Sequence, residues 1–223
     1  MKSSTQYQVL STQKKEKKLP RLYAIVDAGM FEGEEHAQQK TLDYARELLA
    51  GGATLIQYRN KKAAAGELLG HARELRRAVG KEAMLMINDR ADLCLASGCD
   101  GVHVGQEDLS VEGVRRVLGE NCFVGVSTHN LKQILEADKT TADYIAVGPV
   151  FATKTKANPE PVVGLELIRA ARKAASKPIV AIGGITRTNC RSVIEAGADS
   201  VAVIGDLQDS PRKRVEEFLR ILV

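Results

Sequence analysis

Two short apolar runs, Leu85-Met86-Ile87 and Val102-His103-Val104, pass directly into polar clusters. Asn88-Asp89-Arg90 follows the first and Gln106-Glu107-Asp108 the second. Carboxylates at the ends of two buried strands suit a hard divalent cation. Mg²⁺ takes one or two carboxylates and completes its octahedron with waters and substrate phosphate oxygens. The competing reading makes Asp89 and Asp108 loop residues that cap the following helices, in RADLCLAS and LSVEGVRRVLG.

A second set is cationic. In TLIQYRNKK, period-2 alternation puts Gln57 and Arg59 on one side of a strand and Ile56 and Tyr58 on the other. With Ile56 and Tyr58 outward, Gln57 and Arg59 point inward and Lys61 lies just beyond. An inward arginine needs an anion, because burying a lone charge is costly. That anion is a ligand or an internal carboxylate such as Asp89. Further along, GPVFATKTKANPEPVVG clusters Thr153, Thr155 and Lys156, hydroxyls and an ammonium suited to phosphate, in a loop long enough to act as a lid or to be a solvated connection. Gly183-Gly184 lets backbone N–H groups approach an anion. In GVSTHN, Ser127 and His129 do not form an evident catalytic triad, and Ser127 reads as a ligand hydrogen-bonder. His103 either lines the site or is a satisfied core histidine. His36 and His71 fall in helical patterns and are expected at the surface.

The elements that must position these groups repeat. LLAGGATLIQY, LASGCDGVHVG, KTTADYIAVGP and EAGADSVAVIG each read as a helix end, a turn of small residues and a β-branched strand. Nearly continuous strand hydrophobicity indicates a parallel sheet covered on both faces. Reading outward predicts strands at about 22–26, 54–59, 84–88, 101–105, 123–127, 144–150, 179–183 and 201–205, with amphipathic helices between them. The last helix has Ser210 as its expected N-cap and Pro211 in its first turn. Eight such units in an α/β chain of 223 residues make a single (β/α)8 TIM barrel, whose site lies at the C-terminal strand ends where the polar clusters fall. An open doubly wound sheet is the alternative, without an obvious switch point.

Composition narrows the partners. The net charge of +4 sits in residues 1–21, where six Lys/Arg face one Glu; the rest carries 26 basic and 27 acidic residues. Residues 1–20 therefore read as a basic extension and 21–223 as the catalytic barrel. With no Trp and 4% aromatic residues there is little for stacking nucleic-acid bases, so no nucleic-acid partner is expected. No run is long and apolar enough to span a membrane, and the polar start lacks a signal core, which points to the cytoplasm. Cys94, Cys99, Cys122 and Cys190 have no metal-binding spacing, and Cys94 and Cys122 read as small core residues.

The motifs QYRNK, INDRADL, DGVHVGQEDL, GVSTH, DYIAVGPVFATKTK, AIGGI and AGADSVAVI, in this order, resemble the thiamine-phosphate synthase family from residue 22 to about 205. The resemblance implies a (β/α)8 barrel that joins a hydroxymethylpyrimidine diphosphate to a thiazole phosphate, or to its 2-carboxy form, and releases pyrophosphate with Mg²⁺. It implies pyrimidine-diphosphate contacts from Gln57 to Lys61, a stretch that includes Tyr58, Arg59 and Asn60, and from Asn88, Ser127 and Lys156. Asp89 and Asp108 match the metal ligands; Thr153, Lys154, Thr155, Gly184, Ile204 and Gly205 match the thiazole-phosphate site, and His103 lies beside these groups. Arg59, Lys61, Ser127 and Lys156 are the groups expected to act on the leaving diphosphate. Gly205 departs from the family, which commonly has serine there. A related thiazole-phosphate isomerase would not need the metal acids or Lys61, and a non-catalytic phosphate sensor would bind without releasing pyrophosphate. Oligomeric state is not legible.

Overall fold

The computed structural model describes residues 19–153 and 160–223. The chain alternates through β1 (Leu22–Asp27), α1 (Ala37–Ala50), β2 (Leu55–Arg59), α2 (Ala65–Val79), β3 (Met84–Asn88) and α3 (Ala91–Ser97). It continues through β4 (Gly101–Val104), α4 (Val111–Leu118), β5 (Phe123–Thr128), α5 (Leu131–Asp138), β6 (Tyr144–Val147) and α6 (Gly164–Ala174). It closes with β7 (Ile179–Ile182), α7 (Cys190–Glu195), β8 (Ser200–Val203) and α8 (Pro211–Ile221). Each strand pairs in parallel with the next, and β8 pairs with β1, so the expected eight-stranded barrel is closed. All strand C-termini therefore open at one end. β6 is shorter than expected: it stops before Gly148-Pro149, where proline has no N–H to continue the ladder. Ser210 does precede α8, but its left-handed backbone (φ 68°) is not the extended form a side-chain cap needs, and its hydroxyl makes no capping bond.

The alternation of each strand builds two cores. Outward side chains such as Ile56, Val102, Ile145 and Val201 join the apolar faces of the helices, including Leu48, Leu75, Ile134 and Phe218, in a continuous outer layer. Cys94, Cys99 and Cys190 are buried in it, and half-buried Cys122 packs against it. Inward side chains form a smaller core of Tyr23, Ile25, Leu55, Met86, Phe123, Tyr144, Ala146, Val180 and Ala202. Gly125 belongs to this arrangement: a Cβ there would lie 2.0 Å from the Tyr144 ring, so the missing side chain is what admits the tyrosine.

The sequence echoes mark a repeated fastening at the closed end. Asp100, Asp143 and Asp199, each just before an even-numbered strand, accept the N–H of Leu85, Val124 and Ile179 on the preceding strand. Arg76, Arg115 and Arg172 reach from the helices to pair with them. At the fourth echo Thr54 occupies the aspartate's place. These fasteners fix the strands at one end and leave the other free to carry chemistry.

Candidate active site

A cavity of about 1240 Å³ opens at the C-terminal strand ends, above the usual range for one small ligand. The small inward residues Ala146 and Ala202 leave room for it, and it extends outward over the first turns of α1 and α2.

Most of the anticipated residues meet here. Gln57, Arg59, Asn60 and Lys61 line the cavity from the end of β2, and Asn88, His103 and Ser127 from β3, β4 and β5. Thr153, Gly184, Ile204 and Gly205 line the opposite side. Lys154, Thr155 and Lys156 lie outside the described residues, as does most of the 1–20 extension. Tyr58 stands apart. As its position in the alternation requires, it points outward, is buried against α2, and does not reach the cavity; burial pushes its phenol up to about 12. Its hydroxyl meets His71 Nδ1 at 2.9 Å, which corrects the expectation that His71 is a surface residue. His36 is exposed, as expected.

The charges are paired differently from the simplest expectation. Arg59 pairs with Asp27, the last residue of β1, and not with Asp89. The β1–β2 register places Asp27 and Arg59 side by side, and Asp27 is held further by accepting the N–H of Gly29 at 3.1 Å. Asp89 instead receives Lys61. Asp27 is a site residue beyond those the motifs single out, although LYAIVD ends in a carboxylate by the same pattern as the third and fourth strands.

Asp89 and Asp108 stand beside one another just outside the cavity wall. Burial holds the Asp89 carboxyl above its ordinary value; Lys61 opposes this, and contact with the Asp108 carboxyl adds to it. Asp89 also has a left-handed backbone (φ 62°), a strained state for a non-glycine residue and one that clusters at functional sites. Neither acid caps a helix by its side chain: α3 starts at Arg90 without a capping bond, and α4 is capped by Ser110. Asp108 accepts the N–H of Gly105 at 2.8 Å, which aims it along the rim. Two touching carboxylates, one of them half-buried, fit a hard cation that would relieve their repulsion. Among the described residues no cluster of three or more His, Cys, Asp or Glu could hold a metal, so other donors would be water and ligand oxygen.

Opposite the acids, Gly183 (φ 101°) and Gly184 (φ 62°) turn the chain sharply after β7. A Cβ on Gly184 would fall 2.4 Å from the Ala152 carbonyl, so the two loops pack backbone against backbone. Asn189 fastens the turn, donating to the Gly184 carbonyl at 3.0 Å and accepting from the Thr186 N–H at 2.8 Å. Arg187 joins it to the β8 loop through Asp206. At Gly205 the situation differs: a Cβ would meet nothing within 4 Å.

The floor of the cavity is polar, and Tyr23 and Tyr144 were not anticipated. Gln57 Nε2 donates to Tyr23 Oη at 2.6 Å, and Tyr23 Oη lies 3.1 Å from Tyr144 Oη. His103 Nδ1 is 2.9 Å from Tyr144 Oη, and its Nε2 is 2.8 Å from Ser127 Oγ. The histidine beside Ser127 is thus His103, since His129 Nδ1 is engaged with the Gly148 carbonyl at 2.6 Å. Burial raises both tyrosine hydroxyls above their ordinary range, so both remain protonated.

The family model described as thiamine monophosphate synthase matches residues 22–207. A thiamine-phosphate synthase of Koribacter versatilis (strain Ellin345) is 63% identical over 205 residues, covering 92% of this chain and 97% of the relative. One from Chloroflexus aurantiacus (strain ATCC 29366 / DSM 635 / J-10-fl) is 45% identical over 185 residues, covering 82% and 83%. The solved thiamine phosphate pyrophosphorylase from Pyrococcus furiosus superposes with a TM-score of 0.79 at 35% identity, covering 91% of this chain and 95% of its own.

Proposed function

The chain belongs to the thiamine monophosphate synthase family of transferases in thiamine biosynthesis, and on that premise we propose how its barrel mouth performs the coupling. The substrates are 4-amino-2-methyl-5-(diphosphooxymethyl)pyrimidine and 4-methyl-5-(2-phosphooxyethyl)thiazole, and the products thiamine phosphate and pyrophosphate. One observation carries the reading: Arg59 and Lys61 converge with Asp89 and Asp108 at one side of a cavity large enough for two ligands, while the glycine turns after β7 and β8 form the other.

In this reading the pyrimidine lies on the polar floor with its diphosphate toward Arg59 and Lys61. The thiazole phosphate lies by Gly184, Ile204 and Gly205. Asp89 and Asp108 would hold Mg²⁺, which when bound supplies Lewis-acid stabilisation to phosphoryl oxygens. The methylene C–O bond breaks with its electrons leaving on pyrophosphate, and a C–N bond forms to the thiazole nitrogen. No side-chain nucleophile is needed. Arg59 and Lys61 oppose charge that grows as the bond breaks, so they favour the transition state over the bound substrate. Both cations are already paired with Asp27 and Asp89, so arriving phosphate oxygens compete for aligned groups.

The test is incubation of purified protein with both substrates, with and without a chelator, following thiamine phosphate and pyrophosphate. Both products should appear together and disappear with the chelator. Asp108→Ala should lower turnover roughly 100- to 1000-fold with the circular dichroism unchanged. Product formation that ignores both the chelator and the substitution would overturn the metal assignment, and no product from the paired substrates would overturn the function.

A further inference from the structure

The alternation that faces Gln57 and Arg59 inward on β2 does the same for Tyr23, Ile25 and Asp27 on β1, and all five line the cavity. The register sets Asp27 beside Arg59 at the last pair of the two strands. Asp27 is 6% exposed, and its Oδ2 receives Arg59 Nη1 in an ion pair. Its other oxygen, Oδ1, accepts the Gly29 N–H at 3.1 Å and so caps the single 3₁₀ turn Ala28–Phe31. The carboxylate is therefore held at both oxygens, by the backbone at one and by the guanidinium at the other.

A guanidinium is a rigid plane carrying five N–H donors. Among the described residues, Asp27 is the hydrogen-bonding partner of Arg59; it takes one corner of that plane and leaves other donors for a ligand. An arginine without such an anchor has many rotamers, and an arriving anion would have to order it. The same carboxylate also offsets positive charge, which weakens the attraction of Arg59 for an anion at rest. The Lys61–Asp89 pair includes a proposed metal ligand, so it must rearrange when a cation binds. The Arg59–Asp27 pair includes none and can stay in place throughout the reaction.

We propose that Asp27 is a positioning residue of the reaction: acting through Arg59, it holds the guanidinium aimed at the departing diphosphate and restrains how tightly that group is bound before the bond breaks. This rests on the coupling reading above. Alignment matters most where charge grows on the leaving oxygens, so its loss appears in kcat. Charge compensation matters already in the resting complex, so its loss appears as tighter anion binding. A residue that merely shaped the loop would weaken both together.

Two variants keep the turn and remove the charge. Asp27→Asn retains the side chain's size and an oxygen for the Gly29 N–H, and Asp27→Ser retains a capping oxygen. Both should lower kcat by about 30- to 300-fold. Inorganic pyrophosphate with Mg²⁺, titrated by calorimetry without substrate, should bind both about 3- to 30-fold more tightly than it binds the parent. In an Arg59→Ala background, Asp27→Asn should change kcat by less than about twofold, because residues that act as a unit do not add. An unchanged kcat in both variants would overturn the proposal. So would pyrophosphate binding no tighter than the parent's, an equal loss with and without Arg59, or failure of both variants to fold by circular dichroism. The titration needs no turnover. A parent that does not couple the paired substrates overturns the coupling reading, whereas a parent that couples beside unaffected Asp27 variants overturns only the positioning role.

Discussion

At the scale of single residues, the most informative is one that lacks a side chain. Gly205 faces the cavity with open space where its Cβ would stand, and its backbone is not left-handed. Serine therefore fits without moving anything, and its hydroxyl would face the proposed thiazole-phosphate end. A hydrogen bond to a charged group contributes roughly 1.5–3 kcal/mol, less when water already serves the phosphate. Gly205→Ser should accordingly lower KM for the thiazole phosphate by about 3- to 30-fold, with KM for the pyrimidine diphosphate unchanged. Steady-state kinetics varying one substrate at a time would show it, and a rise in thiazole KM would count against the phosphate lying there. Much of this site was legible from strand ends alone, because alternation decides which side chains face inward. Gln57 and Arg59 followed from it, and it also excludes Tyr58, which came in through its motif. Partner choice was not legible. Arg59 meets Asp27 because β1 and β2 are in register there, and register is a property of the closed sheet.

At the scale of elements, the barrel is fastened at its closed end by three unequal ion pairs. Arg115 and Asp143 are the most buried, with side chains 6% and 17% exposed, against 35% and 43% for Arg172 and Asp199. Arg115 also donates to the carbonyls of Cys122 and Thr141, so it binds α4 to two strand entries. Removing one partner of a buried pair strands the other charge and costs about 3–5 kcal/mol. Asp143→Ala should therefore lower Tm by roughly 6–20 °C for a domain of this size, and Asp199→Ala by distinctly less. Thermal denaturation of the two variants gives the ranking, and equal losses would mean that burial does not set the strength of these fasteners. The repeat was visible in the sequence as four echoing segments, and so were the strands, which lie within a residue or two of expectation except for β6. What the echoes did not disclose was why three of them carry aspartate. The reason is long-range: each carboxylate serves a backbone N–H 15 to 20 residues earlier and an arginine on a helix.

At the scale of the molecule, the two barrel ends differ in their charges: the closed end joins opposite charges, while the open end, beside its own ion pairs, also brings two like charges together. Asp89 and Asp108 touch, and Asp89 is held above its ordinary value by burial and by that neighbour despite Lys61. An acid whose folded-state value is raised binds its proton more tightly folded than unfolded, so it penalises the fold once pH rises through that value. The penalty is absent in acid, where both states are protonated, and is full at neutral pH. Asp108→Asn removes the like charge and leaves the Lys61–Asp89 pair in place. Without metal, the variant should then be more stable than the parent at neutral pH, the difference shrinking as pH falls below the carboxylate range, while Mg²⁺-dependent turnover is lost. Denaturant melts across pH in the presence of a chelator measure the first, and the coupling assay the second. Adding Mg²⁺ should reverse the order by stabilising only the parent, because an ion that binds the folded state alone stabilises it in proportion to occupancy. A variant less stable than the parent at every pH would show that Asp108 holds the rim together through Gly105, and that the repulsion is too weak to matter.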